Sequence, residues 1–207
     1  MRVQTGGENI TIVACVNASG TVILPPMIIY RGKSINQELT MDGIAGAMYA
    51  SSPKSYIDTE LFKMWMGRFV MLVPPARPIL LLLDGHASRM NLQTVQFAKD
   101  NGIHMLCLPP HTTHLYQPLD VTMFRPLKTN FSIEAQKLSR KNKKKSLNRY
   151  DFNRVLKPAW QKSFTLSNIE AGFRKCGVWP YNPAAVTLPF SQGNTAGGTA
   201  KVGKFIY

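Results

Sequence analysis

The apolar positions change period several times along the chain, and each change predicts an element. Residues 9–18, NITIVACVNA, are β-branched and small apolar residues ending in the cluster Asn17-Ala18-Ser19-Gly20. That is the composition of a strand running into a turn. Residues 21–30, TVILPPMIIY, form a second apolar run, broken by Pro25-Pro26. Proline has no N–H to give a central ladder, so this strand is expected at an edge or bulged. Together the two runs predict a hairpin. A short strand is expected near 47–51, AMYAS. Leu61, Trp65 and Phe69 then recur at i, i+4, i+8, flanked by Phe62, Met66 and Val70. This stripe predicts an amphipathic helix, capped by Asp58 or Thr59 and stopped by Pro74-Pro75.

The run PILLLLD, 78–84, is short and uniformly apolar. It predicts a central strand buried on both faces. Asn91 is placed to cap a helix over LQTVQFAKDN, Gly102 to end it, and IHMLCLP, 103–109, to follow as a strand. Strand, helix and strand in so few residues make a βαβ unit, whose two strands are parallel and adjacent. Beyond the loop PPHTTHLYQP, 109–118, a helical pattern runs from Leu119 to Arg140, with Pro126 expected to bend or split it. YDFNRVLKPAWQKSF and SNIEAGFRKCG predict two more helices, the second capped by Ser167 or Asn168 and ended by Gly177. Glycine, threonine, serine and proline dominate from Asn182 on, so 187–203 are expected to have no core of their own. The order of elements predicts an α/β domain: a mixed sheet flanked by helices, with a hairpin on one side and a parallel pair on the other.

Charge adds a partner class. The 207 residues hold 25 Lys and Arg against 11 Asp and Glu, a net charge of +14. Such an excess attracts polyanions, nucleic acid above all. Its densest stretch, 137–149, carries Lys137, Arg140, Lys141, Lys143, Lys144, Lys145 and Arg149 with no acidic residue. Those residues are expected to bind phosphates without sequence choice. No aromatic side chain interleaves them, so base stacking is not expected there. No run reaches the roughly 20 apolar residues a membrane span needs, and no secretory leader is visible. The three cysteines, Cys15, Cys107 and Cys176, are far apart and odd in number, which fits a reducing compartment.

Scarce acidic residues make the two best-placed ones conspicuous. Asp84 ends the apolar strand, and Asp120 follows HLYQPL after the neighbouring strand. Loops after parallel strands lie on one edge of a sheet, so these two carboxylates are positioned to converge. Close carboxylates repel unless a cation lies between them, and a hard divalent ion takes such oxygens. The plainer alternatives are that Asp120 N-caps its helix and Asp84 accepts from nearby backbone N–H groups. Cys107, His111 and His114 have a spacing that suggests zinc, but no fourth ligand is evident. His86 is either a group supporting Asp84 or a hydrogen-bonded loop histidine.

The segments ENITIVACVNASG, LPPMIIYRGK, ILLLLDGHASR, LPPHTTHLYQPLDVTMFRPLK and AGFRKCGVWPYNP, in this order and spacing, resemble the DDE superfamily of transposases and endonucleases, in its pogo, Tigger and Jerky branch. The resemblance implies an RNase H-like domain over 8–183, followed by a tail over 184–207. It also implies three carboxylates holding two Mg²⁺ or Mn²⁺ ions, with DNA as partner and the nucleus as location. The second carboxylate falls on Asp84 and the third on Asp120, with His86, His114 and Gln117 as supporting groups. The family's first aspartate lies on a strand preceding the hairpin, and this chain starts after that point. The sheet is therefore expected to lack the first family strand, and the domain to be catalytically incomplete. A homo-oligomer or a host protein is a further possible partner. The alternative is a non-enzymatic, domesticated module that binds DNA or protein through its basic surface.

Overall fold

The computed structural model describes residues 1–5, 8–84, 91–108, 113–143, 147–186 and 204–206. Its strands are β1 (Arg2–Thr5), β2 (Glu8–Val16), β3 (Met27–Arg31), β4 (Met48–Ser52), β5 (Ile79–Leu83), β6 (Ile103–Cys107) and β7 (Lys204–Ile206). Its helices are α1 (Thr59–Leu72), α2 (Leu92–Asp100), α3 (Thr113–Tyr116), α4 (Phe124–Lys141), α5 (Phe152–Ser163) and α6 (Leu166–Lys175). The seven strands form one mixed sheet in the order β4-β3-β2-β7-β5-β6, with β1 also paired to β2.

The long strand β2 organises the sheet. From Ile10 to Val16 every residue is buried. Ile10, Ile12, Ala14 and Val16 face a layer built from α4, α5 and α6. Val13 and Cys15 face a layer built mainly from α1. Two covered faces explain why the run is apolar throughout instead of alternating. On the α1 side Trp65 stacks between Phe62 and Phe69, at 6.0 and 5.3 Å between ring centroids. On the other side Phe152 packs on Tyr30 and Phe131, and the Asn153 amide donates 2.8 Å to the Leu39 carbonyl.

Several expectations hold. The helix α1 is capped by Asp58, whose carboxylate accepts from Leu61 N–H at 2.9 Å. Asn91 caps α2 in the same way. The strands β5 and β6 pair in parallel, from Ile79↔Ile103 to Leu83↔Cys107. Pro126 keeps its expected role: the helical run from Leu119 is split into a π-helical turn, Leu119–Met123, and α4, which begins two residues before the proline. Other expectations change. Pro25-Pro26 precede β3 instead of bulging it, since a ladder cannot use them. Thr165, not Ser167 or Asn168, caps α6. Leu80 is 53% exposed, so β5 is not covered on both faces along its whole length.

The expected gap in the sheet is filled. β1 runs antiparallel along β2 from Thr5↔Glu8 to Arg2↔Thr11, and Met1 and Ile12 exchange hydrogen bonds at 2.8 Å in both directions. β7 continues the same lane in the opposite sense, pairing with Ala14–Val16 on β2 and with Leu82 and Leu83 on β5. Residues 204–206, inside the tail expected over 184–207, therefore add a strand. The reason is backbone satisfaction: peptide groups buried between two layers need partners. Residues 187–203 lie outside the described residues.

Truncating Phe152, which is fully buried between Tyr30 and Phe131, should be costly. Phe152→Ala is expected to lower the unfolding free energy by about 3–5 kcal/mol, read from the shift in a urea-unfolding midpoint. A shift near zero would mean that α5 does not pack on the sheet.

Candidate functional site

Strand directions decide which groups can meet. β3 and β4 are parallel, and β5 and β6 are parallel. β3 opposes β2, β2 parallels β7, and β7 opposes β5. Hence β3, β4, β5 and β6 all point the same way, and their carboxyl ends share one edge. Open α/β sheets place ligands at that edge.

Asp84 is the residue directly after β5, half-buried, on this edge. Its neighbour across the strand pair is Leu108, whose N–H donates 2.9 Å to the Leu83 carbonyl. Asp120 lies in a π-helical turn, Leu119–Met123, that leads into α4. The two carboxylates thus follow adjacent parallel strands. Asp120 does not cap this turn: the N-cap position is Pro118, with no side-chain cap.

A clamp against α6 fixes the Asp120 turn. The Thr122 hydroxyl donates 2.6 Å to the Asn168 carbonyl. Backbone N–H groups of Asp120 and Val121 both donate to the Gln117 carbonyl. Gly172 brings α6 close enough that a Cβ there would lie 2.5 Å from Thr122 Oγ1 and 2.8 Å from the Pro118 carbonyl. The Asp120 carboxylate reaches the electrostatic range of Cys176 just past α6. Burial, helped by that negative charge, pushes the Cys176 thiol up to about 12. Gln117 is fully buried, and neither end of its amide has a hydrogen-bond partner among the described residues.

The remaining predicted residues distribute unevenly. His86, Lys144 and Lys145 lie outside the described residues, as does the His114 side chain, although its backbone belongs to α3. Lys137 pairs with Glu134 at 2.9 Å, and Lys162 reaches the same carboxylate at 2.6 Å; the two ammonium groups hold Glu134 below the usual carboxylate range. Arg140, Lys141 and Lys143 are exposed at the end of α4, where the helix dipole favours cations. Arg149 is tied into the fold. Its guanidinium meets Glu8 at 3.2 Å, donates to the Arg31 carbonyl at 3.1 Å and lies over the Tyr30 ring. Asp151, unremarkable in the sequence, is buried and completes a capping box with Asn148. The Asn-x-x-Asp spacing was the signal for it.

Among the described residues, no three His, Cys, Asp or Glu side chains come together to hold a metal ion. Asp84 and Asp120 offer hard carboxylate oxygens of the kind a divalent ion takes, with water completing its shell.

A family profile described as DDE superfamily endonuclease matches residues 7–173, which includes both aspartates, the hairpin and the clamp. The chain belongs to this DDE superfamily endonuclease family. The family generally works with a divalent metal, and an endonuclease family acts on nucleic acid. A relative, the MFS-type transporter clz9 of Cochliobolus lunatus, is 30% identical over 183 residues, covering 86% of this chain and 20% of that protein. The chain thus spans about a fifth of the length of this relative. Among the described residues, no helix is long and apolar enough to cross a membrane. No solved structure matches.

The clamp makes a prediction that opposes helix propensity. Alanine normally stabilises a helix interior relative to glycine by roughly 1 kcal/mol. At Gly172 the new methyl would collide with the Pro118 carbonyl and the Thr122 hydroxyl. Gly172→Ala should therefore destabilise this DDE domain by about 1–2 kcal/mol net, seen as a lower thermal midpoint. A raised midpoint would show that α6 does not press on the Asp120 turn.

Proposed function

We propose that this chain is a DNA-binding domain of RNase H-like fold, descended from a DDE transposase of the pogo, Tigger and Jerky branch, and acting in the nucleus. Asp84 and Asp120 are its two family carboxylates for Mg²⁺ or Mn²⁺. His86, His114 and Gln117 support them, and the exposed cations of 137–149 hold the phosphate backbone. The observation that carries this reading is the placement of Asp84 and Asp120 after adjacent parallel strands inside the matched family segment. The net charge of +14 supports a polyanionic partner.

Residues 1–207 by themselves are catalytically incomplete on this reading, because the first family aspartate is not among them. A non-enzymatic module is the second reading. The exposed cations Arg140, Lys141 and Lys143 at the end of α4 support it. In that case the basic surface binds DNA or a host protein, or joins copies of the chain, without chemistry.

One assay separates the two. The purified chain is mixed with supercoiled plasmid, and Mg²⁺ or Mn²⁺ is titrated. The expected outcome is salt-sensitive retention of the plasmid, with log affinity falling linearly as log salt rises, and little or no nicking. Metal-dependent nicking that disappears in Asp84→Ala would make the chain an active nuclease. Absence of binding at low salt would remove DNA as the partner.

A further inference from the structure

A second polar feature lies on the same sheet edge, at the ends of β3 and β4. A cleft of about 260 Å³ is lined by Asn9, Arg31, Pro53, Lys54, Ser55 and Tyr56. Arg31 is the last residue of β3 and pairs with Ser52, the last of β4. The chain then turns sharply through Pro53–Tyr56. Ser55 N–H donates to the Ser52 carbonyl at 3.1 Å, and the Ser52 hydroxyl donates to the Tyr56 carbonyl at 2.7 Å. These bonds hold the turn closed.

Ser55 is the unusual member. It adopts a left-handed conformation, φ 52°, which non-glycine residues seldom do. It is fully buried, yet its hydroxyl has no hydrogen-bond partner among the described residues. A buried hydroxyl without a partner asks for an explanation, and this one lines a cleft beside two cationic residues. Arg31 is exposed, and its guanidinium has no partner among the described residues. Glu8, next to Asn9 of the lining, is paired with Arg149 at 3.2 Å. Arg149 in turn holds the Arg31 carbonyl from behind. The cleft therefore brings two cationic side chains, Arg31 and Lys54, together with the unpartnered Ser55 hydroxyl.

We propose that this cleft is a phosphate-binding site, taking one phosphodiester group of a nucleic-acid backbone through Arg31, Lys54 and the Ser55 hydroxyl. A planar guanidinium and a hydroxyl donor suit phosphate oxygens. The site shares its edge with Asp84 and Asp120, so a backbone anchored here runs across the carboxyl ends of β3 to β6. The proposal rests on the nucleic-acid reading above for its ligand's source, and on the cleft alone for its phosphate chemistry.

The test uses the full chain and a short labelled DNA duplex, followed by fluorescence anisotropy across a salt series. The double variant Arg31→Ala/Lys54→Ala is compared with Lys63→Ala/Lys99→Ala, which removes the same charge elsewhere. The cleft variant is expected to bind about ten-fold more weakly than the control, with a salt slope reduced by about one. Ser55→Ala loses no internal hydrogen bond, so it should keep its melting temperature while binding DNA more weakly. Cleft variants that match the control would overturn the proposal. If the intact chain binds no duplex, the nucleic-acid reading fails, and a pyrophosphate titration decides the cleft. Saturable amide shifts at Ser55 and Tyr56 that vanish in Arg31→Ala/Lys54→Ala would sustain a phosphate site, and unmoved amides there would overturn it.

Discussion

The structure depends on the backbone of β2 finding partners on both of its sides. Both faces of this strand are covered by side chains, so water cannot satisfy its peptide groups. On one side β3 supplies the ladder, from Thr11 to Val13. On the other, β1 and β7 lie end to end, one pairing with Glu8–Thr11 and the other with Ala14–Val16. Among the described residues, only β7 reaches across to β5. The hairpin half of the sheet and the parallel half are therefore joined through three residues near the end of the chain.

That junction also sets which strand ends share an edge. Because β7 sets β2 and β5 in opposite directions, the ends of β3, β4, β5 and β6 fall on one edge. Asp84 sits at one part of that edge, and the Arg31–Ser55 cleft at another. Carboxylates and cations thus line the same rim without neutralising each other in sequence-local pairs. The clamp of α6 on the Asp120 turn adds rigidity, since Thr122, Gly172 and Pro118 leave little room between backbones. The proposed function gives this rim its chemical meaning, as the edge that nucleic acid would meet.

Much of this was legible in the residues. The uniform apolar run of β2, the i, i+4, i+8 stripe of α1 and the βαβ spacing around Asp84 all carry local signals strong enough to survive folding. The placement of Asp84 and Asp120 followed from strand direction alone. What stayed hidden depends on long-range geometry. Arg149 looked like one more cation in a basic run, but its guanidinium reaches residues more than a hundred positions away, at Glu8 and Arg31. Lys204–Ile206 follow a polar, glycine-rich stretch, and only the open lane beside β2 gives them a strand to join. Ser55 carries no motif; its importance comes from a left-handed turn and a buried hydroxyl, neither of which a serine announces.

The central claim is that one edge of this sheet, where β3 to β6 end, is the face that meets DNA. Amide-exchange protection mapped with and without a duplex tests it most directly. The account predicts added protection at Arg31, Lys54–Tyr56, Asp84 and the 117–123 turn, with none at the opposite edge around Asn17–Gly20 and Gly102. Protection concentrated at that opposite edge, or spread evenly over the helices, would contradict it.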